Sequence, residues 1–262
     1  MSDKISREFR ELKKTFLKKK FSNLNETQLE AVFNVKGPMV VIAGAGSGKT
    51  TAVISRIVNM VTYGDAYLSD SVPKNLNEDM INMLKAAFEN PEDSHEVDEL
   101  IKVNPVKPWN ILAITFTNKA ANELKNRLSA ALGERAKDIC ASTFHSLCSR
   151  ILRIHALKIG YTSHFTIYDD EDSIKVIKEC LKTLKLDDKL ISARSIKNII
   201  SRQKDKLITP EGYKEVQNEG YKFSGVPYEV YEYYQRKLKE ANAMDFDDFI
   251  FNTVKLFKEH PE

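Results

Sequence analysis

The residues best suited to chemistry are Ala43-Gly44-Ala45-Gly46-Ser47-Gly48-Lys49-Thr50-Thr51. Small side chains let backbone N–H groups turn inward around the oxygens of a polyphosphate. Lys49 supplies a cation long enough to reach β- and γ-phosphates, and the Thr50 hydroxyl is the type that ligates Mg²⁺ in such loops. The run departs from the strict G-x-x-x-x-G-K-[ST] pattern at its first position, where Ala43 stands. Alanine tolerates positive φ less well than glycine, so the loop is expected to turn there without a strongly left-handed residue.

Three other sites carry residue types that suit recognition. Gln28 lies just upstream of the loop, and a glutamine amide can donate and accept at once, as the N6 and N7 edge of adenine requires. It is also the third helical residue after Asn25, where it would complete a capping box; both readings stand. The runs Thr115-Phe116-Thr117-Asn118 and Ser142-Thr143-Phe144-His145 share a composition of hydroxyls, amides and an aromatic ring. Hydroxyls and helix N-termini suit phosphate contacts, and an exposed ring suits stacking on an unpaired base. Both phenylalanines also fit a plain role as core residues at strand ends, and His145 fits a structural hydrogen bond.

These residues need elements to hold them. Val40-Val41-Ile42 reads as a buried strand and Ala52 to Val58 as a helix, which puts the glycine loop in the strand–loop–helix setting that phosphate binding requires. Ile111 to Phe116 reads as a second strand, followed by a helix capped by Thr117 or Asn118. Asp138 to Leu152 repeats the strand–turn–helix unit. Repeated units of this kind imply a parallel sheet with ligands at the carboxyl ends of its strands. From Arg153 to Ala243 no further strand is evident; Glu171–Lys185, Ser195–Lys206, Pro210–Gln217 and Pro227–Ala241 read as helices. Tyr228, Tyr231, Tyr233 and Tyr234 sit there at helical spacing, which suits packing. Asp245 reads as the N-cap of a last amphipathic helix, with Asp247 and Asp248 as first-turn acids.

Charge is uneven. Between Asp65 and Asn104 ten acids face three bases, a net of −7 in a chain whose total is +3. This segment reads as a peripheral, acidic, helical insertion in a basic body suited to a polyanionic partner. Ile5, Phe9, Leu12 and Phe16 mark an amphipathic N-terminal helix whose basic face reads as solvated, with direct nucleic-acid contact as the alternative. Cys140, Cys148 and Cys180 form no C-x-x-C pair, against a zinc site or disulfide frame and consistent with a cytoplasmic location. No apolar run approaches the ~18–20 residues of a membrane span, and the N-terminus lacks the pattern of a secretory signal.

Taken in order, Leu24-Asn25 with Gln28, Ala43 to Thr50, Ile114 to Ala121, Ser142 to Ser146 and Met244 to Phe249 resemble the motifs of superfamily 1 DNA helicases of the UvrD/Rep/PcrA type. An alanine at the first loop position is usual there. The resemblance covers nearly the whole chain outside about 65–104. It implies an α/β fold: an incomplete RecA-like P-loop NTPase sheet over 1–152, an inserted all-helical subdomain over 153–243, and a return helix over 244–262. It implies ATP and Mg²⁺ as cofactors and ATP-driven 3′-to-5′ movement on single-stranded or junction DNA, with a place in DNA repair. Gln28 would read adenine, Ala43 to Thr51 would hold nucleotide, Lys49 and Thr50 would act in catalysis with Thr50 on the metal, and Thr115–Asn118 with Ser142–His145 would line the DNA track. Thr51 and Lys125 stand where arginine is common in the family. The family's Asp-Glu strand and second RecA-like domain do not occur by Glu262, so the remainder of a helicase chain is the expected partner and this portion alone is expected not to hydrolyse ATP. A non-catalytic nucleic-acid-binding or adaptor module that keeps the loop as scaffold is the alternative; a small-molecule kinase is disfavoured by the paired Thr-Phe turns.

Overall fold

In the computed structural model, which describes residues 2–89, 91, 94–186, 192–218 and 228–262, the chain divides into two units, Met1–Ser142 and Thr143–Glu262. Glu92, Asp93 and Pro227, used in the reading above, lie outside the described residues.

The first unit runs α1 (Ser2–Lys20), α2 (Glu26–Phe33), α3 (Lys49–Thr62), α4 (Glu78–Ala86), α5 (His95–Ile101), β1 (Leu112–Thr115), α6 (Asn118–Leu132) and β2 (Cys140–Thr143). Its apolar residues form two cores. One joins Phe9, Phe16 and Leu17 of α1 to Val32 and Phe33 of α2 and to Tyr63, Ile81, Leu84, Val97 and Ile101. Each such side chain contributes ~1.5–3 kcal/mol on burial, enough to bind the acidic segment firmly to α1. The insertion expected at the periphery thus supplies part of a core, through α4 and α5. The second core joins Ile54, Ile57 and Val61 of α3 to Leu124, Leu128 and Leu132 of α6 and to Ile111, Ile139 and Ala141 around the two strands. β1 pairs with β2.

One expected element does not form. Residues 38–45 have no regular structure, and Val40, Val41 and Ile42 are 85%, 54% and 96% exposed. A buried strand needs neighbours for its backbone donors and acceptors. β1 and β2 pair with each other, and among the described residues nothing pairs with 40–42. The apolar pattern is that of a strand, but a strand sequence alone makes no sheet.

The second unit runs α7 (Phe144–His155), β3 (Thr166–Tyr168), α8 (Asp170–Thr183), α9 (Ala193–Asp205), α10 (Pro210–Asn218), α11 (Tyr228–Glu240), β4 (Ala243–Asp245) and α12 (Phe246–Glu259). The four helices expected between 171 and 241 are present within about two residues at each described end. Two strands were not anticipated: β3 and β4 pair in parallel, Thr166 with Ala243 and Tyr168 with Asp245. Three residues each is too short to leave a periodic signal. Ile177, Ile196, Ile200, Tyr213, Tyr231 and Tyr234 fill one core, which confirms packing as the role of Tyr231 and Tyr234. Leu152, Phe165, Met244, Phe249 and Leu256 fill another, around α7 and α12.

Candidate functional site

The glycine loop is held from both sides. Asn25 caps α2 by accepting from the Gln28 N–H at 2.9 Å, and Gln28 Oε1 accepts in return from the Asn25 N–H at 3.0 Å. The same amide donates through Nε2 to the Ser47 carbonyl at 2.9 Å. Gln28 therefore completes the capping box and touches the loop at once. Behind the loop, the Arg56 guanidinium donates to the Ala31 carbonyl and, at 2.6 Å, to the Asn34 carbonyl. Asn59 Nδ2 adds a bond to the Val32 carbonyl at 3.2 Å, so α3 is stapled along α2.

The loop backbone turns where glycine permits. Gly46 and Gly48 have φ of 74° and 78°, and Gly48 ends the loop directly before α3. The positive φ at Gly48 calls for glycine, and a Cβ there would lie 2.6 Å from Gln28 Nε2, the movable end of a flexible side chain. Ala43 has no positive φ, as expected. Ser47 Oγ donates to the Gly44 carbonyl at 2.8 Å. Lys49 Nζ donates to the Ala43 and Gly44 carbonyls at 2.9 and 2.5 Å, so its ammonium is folded over the loop. Thr50 and Thr51 follow in the first turn of α3, which carries no acidic residue. The arrangement concentrates positive potential at one spot: a helix N-terminus, an ammonium and small residues that leave space. This donor set fits the phosphates of a nucleotide, and Thr50 is placed on the same turn as a hydroxyl for a metal. Among the described residues no group of three His, Cys, Asp or Glu side chains could hold a metal by itself.

The turn after β1 is open. Phe116 is 90% exposed, which sets aside a core role for it. Thr115 Oγ1 donates to the Thr117 carbonyl at 3.1 Å, and Thr117 caps α6 by accepting from the Ala120 N–H at 3.2 Å. Asn118 is exposed beside it. In the second unit, Thr143 is buried and caps α7, accepting from the Ser146 N–H at 3.3 Å. Phe144 is 43% exposed, and the His145 ring meets the edge of Phe246 with centroids 6.1 Å apart. Ser142 Oγ is buried without a hydrogen-bond partner among the described residues. Of the eight residues read as a nucleic-acid track, Phe116, Thr117, Asn118, Phe144 and His145 present exposed side chains, whereas Ser142 and Thr143 turn their hydroxyls inward.

One cluster escaped the sequence reading. Lys204, fully buried on α9, places its ammonium 2.8 Å from Asp245 Oδ2 and 2.8 Å from Asp248 Oδ1. The Tyr234 hydroxyl donates to Asp245 at 2.8 Å and Gln235 Nε2 to Asp248 at 3.0 Å. Asp245 caps α12 and Asp248 completes its capping box. Burial alone would lower the lysine, but the charges of Asp248 and Asp245 outweigh it and hold Lys204 well above the usual lysine value. Burial likewise works against Asp245, yet Lys204 keeps it below the usual carboxylate range. For Asp248 burial wins, and its carboxyl is pushed up to about 6. Two carboxylates thus converge on one buried cation. The cue was present as the acids of residues 245–248; the lysine, 41 residues earlier, gave no local signal.

A family model described as the UvrD/REP helicase N-terminal domain matches residues 24–70 and 94–262. The chain is 42% identical over 241 residues to ATP-dependent DNA helicase PcrA of Bacillus subtilis (strain 168). It is 40% identical over 240 residues to the protein of that name in Staphylococcus epidermidis (strain ATCC 12228 / FDA PCI 1200), and 38% over 242 residues to that in Staphylococcus aureus (strain NCTC 8325 / PS 47). Each alignment covers 92% of this chain and 27% of the relative, so the chain spans about a quarter of their length. The α/β architecture, with its short parallel pairing, is an incomplete RecA-like fold.

Proposed function

The chain belongs to the UvrD/REP helicase N-terminal-domain family, and from that membership we propose that it is the nucleotide-binding and single-strand-contacting front part of an ATP-dependent 3′-to-5′ DNA helicase. The observation that carries this reading is the loop over 43–50. Two glycines with positive φ lead into α3, and Lys49 folds over the turn. Ala43 to Thr51 bind the phosphates of ATP, Thr50 ligates Mg²⁺, and Gln28 lies close enough to the loop to sense the base. Mg²⁺ supplies charge neutralisation between phosphate oxygens when bound. Phe116 and Phe144 offer stacking faces to unpaired bases, with Thr115, Thr117, Asn118 and His145 beside them. Ser142 and Thr143 act from behind, by shaping the start of α7.

The domains follow the same reading: a RecA-like portion over 1–152 with the insertion at about 65–104, a helical subdomain over 153–243, and a return helix over 244–262. No carboxylate stands in the loop itself to orient an attacking water. In this reading hydrolysis draws on groups from the remainder of a longer helicase chain. Val40, Val41 and Ile42 support that reading, since three exposed apolar residues before the loop await strand partners.

Calorimetric titration of the chain with Mg-ATP tests the reading. Weak binding abolished by Lys49→Ala, with negligible turnover, is the expected outcome. Turnover at helicase-like rates that depends on Lys49 would overturn the claim of inactivity. Single-strand binding indifferent to both nucleotide and Lys49→Ala would favour a non-catalytic binding module.

A further inference from the structure

The two segments that the family match leaves out, 1–23 and 71–93, meet in one lobe of the first unit. α1 lays Phe9, Phe16 and Leu17 into a core shared with Ile81 and Leu84 of α4. α1 carries eight cations, and the structure divides them by face. Lys13 is buried and donates to the Ser69 and Ser71 carbonyls at 2.9 and 3.0 Å. Arg10 Nε donates to the Asp70 carbonyl at 2.8 Å, Lys19 to the Phe88 carbonyl, and Lys20 pairs with Asp98 at 3.3 Å. All four of these cations are committed to the insertion.

The other four are Lys4, Arg7, Lys14 and Lys18. None has an ion pair or hydrogen-bond partner among the described residues. At 3.6 residues per turn they fall on one strip of the helix, roughly opposite Ile5, Phe9, Leu12 and Phe16. The strip spans ~21 Å from Lys4 to Lys18 at ~1.5 Å per residue. Glu11 lies on it as well, so the cations form two pairs, Lys4 with Arg7 and Lys14 with Lys18. Elsewhere on the lobe the exposed acids Asp70, Glu78, Asp79, Glu89, Glu96 and Glu99 outnumber the exposed lysines Lys74, Lys85 and Lys102. A polyanion is thus attracted to one face of the lobe and repelled by the acidic helices.

We propose that the outward face of α1 is a contact surface for the phosphate backbone of duplex DNA. The choice of DNA rests on the helicase reading above. The choice of duplex rests on shape: a helix whose opposite face is anchored in a core presents charges at fixed spacing, which suits a stiff polyanion carrying one charge per ~1.7 Å. A flexible single strand gains less from that rigidity.

The test compares two triple variants of the 262-residue chain. Arg7→Gln/Lys14→Gln/Lys18→Gln removes three of the strip's four cations and leaves the hydrogen bonds and ion pairs of α1 with the insertion in place. Lys178→Gln/Lys182→Gln/Lys206→Gln makes the same change in net charge on the second unit. Binding of a short blunt duplex is measured by fluorescence anisotropy across a salt series, with a single strand and Mg-ATP in parallel. The α1 triple is expected to bind duplex about tenfold more weakly, with a salt slope shallower by about 2–3, since each phosphate contact contributes ~0.9. Its single-strand and nucleotide affinities stay unchanged, and the second triple keeps its duplex binding. The proposal is overturned if the α1 triple binds duplex as before, or if both triples weaken equally. It is also overturned if polyglutamate competes as well as duplex, which would point to an acidic protein. Wild-type chain that binds Mg-ATP but no duplex sinks this proposal alone; failure to bind nucleotide sinks the helicase reading instead.

Discussion

Replacing Lys204 with methionine leaves two carboxylates facing each other in a site where the three side chains are 0–4% exposed. In the native protein each lies 2.8 Å from the ammonium. Removing one partner of a buried ion pair costs about 3–5 kcal/mol, and here one cation serves two anions, which places the expectation at the upper end. That is a large share of the ~5–15 kcal/mol that holds a domain folded. The variant has one escape, which is to bind protons. Asp248 already lies up near 6 with the lysine present, and without it both carboxyls rise further. A carboxyl whose folded pKa exceeds its unfolded value stabilises the fold at low pH and loses that contribution as pH rises through the folded value. Lys204→Met is therefore least destabilised near pH 5 and most above pH 7. Adding Asp245→Asn and Asp248→Asn removes the stranded charges, and asparagine keeps the helix cap, so the triple variant recovers most of the loss. Urea unfolding followed by circular dichroism gives the magnitude, and hydrogen exchange over α9, α11 and α12 localises it. A cost for Lys204→Met below about 1 kcal/mol, or one that does not change with pH, would refute the reasoning.

Other outcomes follow from the same geometry. Gly48→Ala forces a positive φ on alanine at about 1–2 kcal/mol and pushes the Gln28 amide off the Ser47 carbonyl; calorimetry should show Mg-ATP affinity falling at least tenfold with the helix content intact. Gln28→Ala loses the loop contact and its own half of the capping box, while Asn25 still accepts from the residue-28 N–H; a melting-temperature drop smaller than the few degrees of a whole cap accompanies any loss of nucleotide binding. Burial, then the neighbouring charge of Lys14, lowers Lys13 to about 8, below its unfolded value. The native protein should therefore gain stability relative to Lys13→Met as pH rises from about 8 toward 10.5, read from urea midpoints at several pH values. Phe116→Ala should weaken single-strand binding by ~1–3 kcal/mol without altering the melting temperature, because the ring is solvent-facing.

The parts legible in the sequence were those written in local pattern. Asn25 with Gln28, Thr117 and Asp245 all cap the helices that their spacing announced. The turn glycines were equally plain, whereas α3 begins at Lys49, three residues before the Ala52 at which the apolar pattern starts. What the sequence hid depends on distance along the chain. Val40 to Ile42 has strand composition, yet a strand exists only where another backbone pairs with it. β3 and β4 find each other across more than seventy residues and are too short to announce themselves. Lys204 looked like one more helical lysine until the fold brought Asp245 and Asp248 to it. The acidic insertion reads as peripheral by charge, but Ile81, Leu84, Val97 and Ile101 are spaced to bury, and α1 supplies the surface that buries them.

The proposed nucleotide site requires backbone groups between residues 43 and 50 to close around the phosphates. Hydrogen exchange across that segment, with and without saturating Mg-ATP, measures it most directly. Slowed exchange of the loop amides and the first turn of α3, abolished by Lys49→Ala, is the result this account predicts. Nucleotide that binds while these amides exchange at their free rate would contradict it.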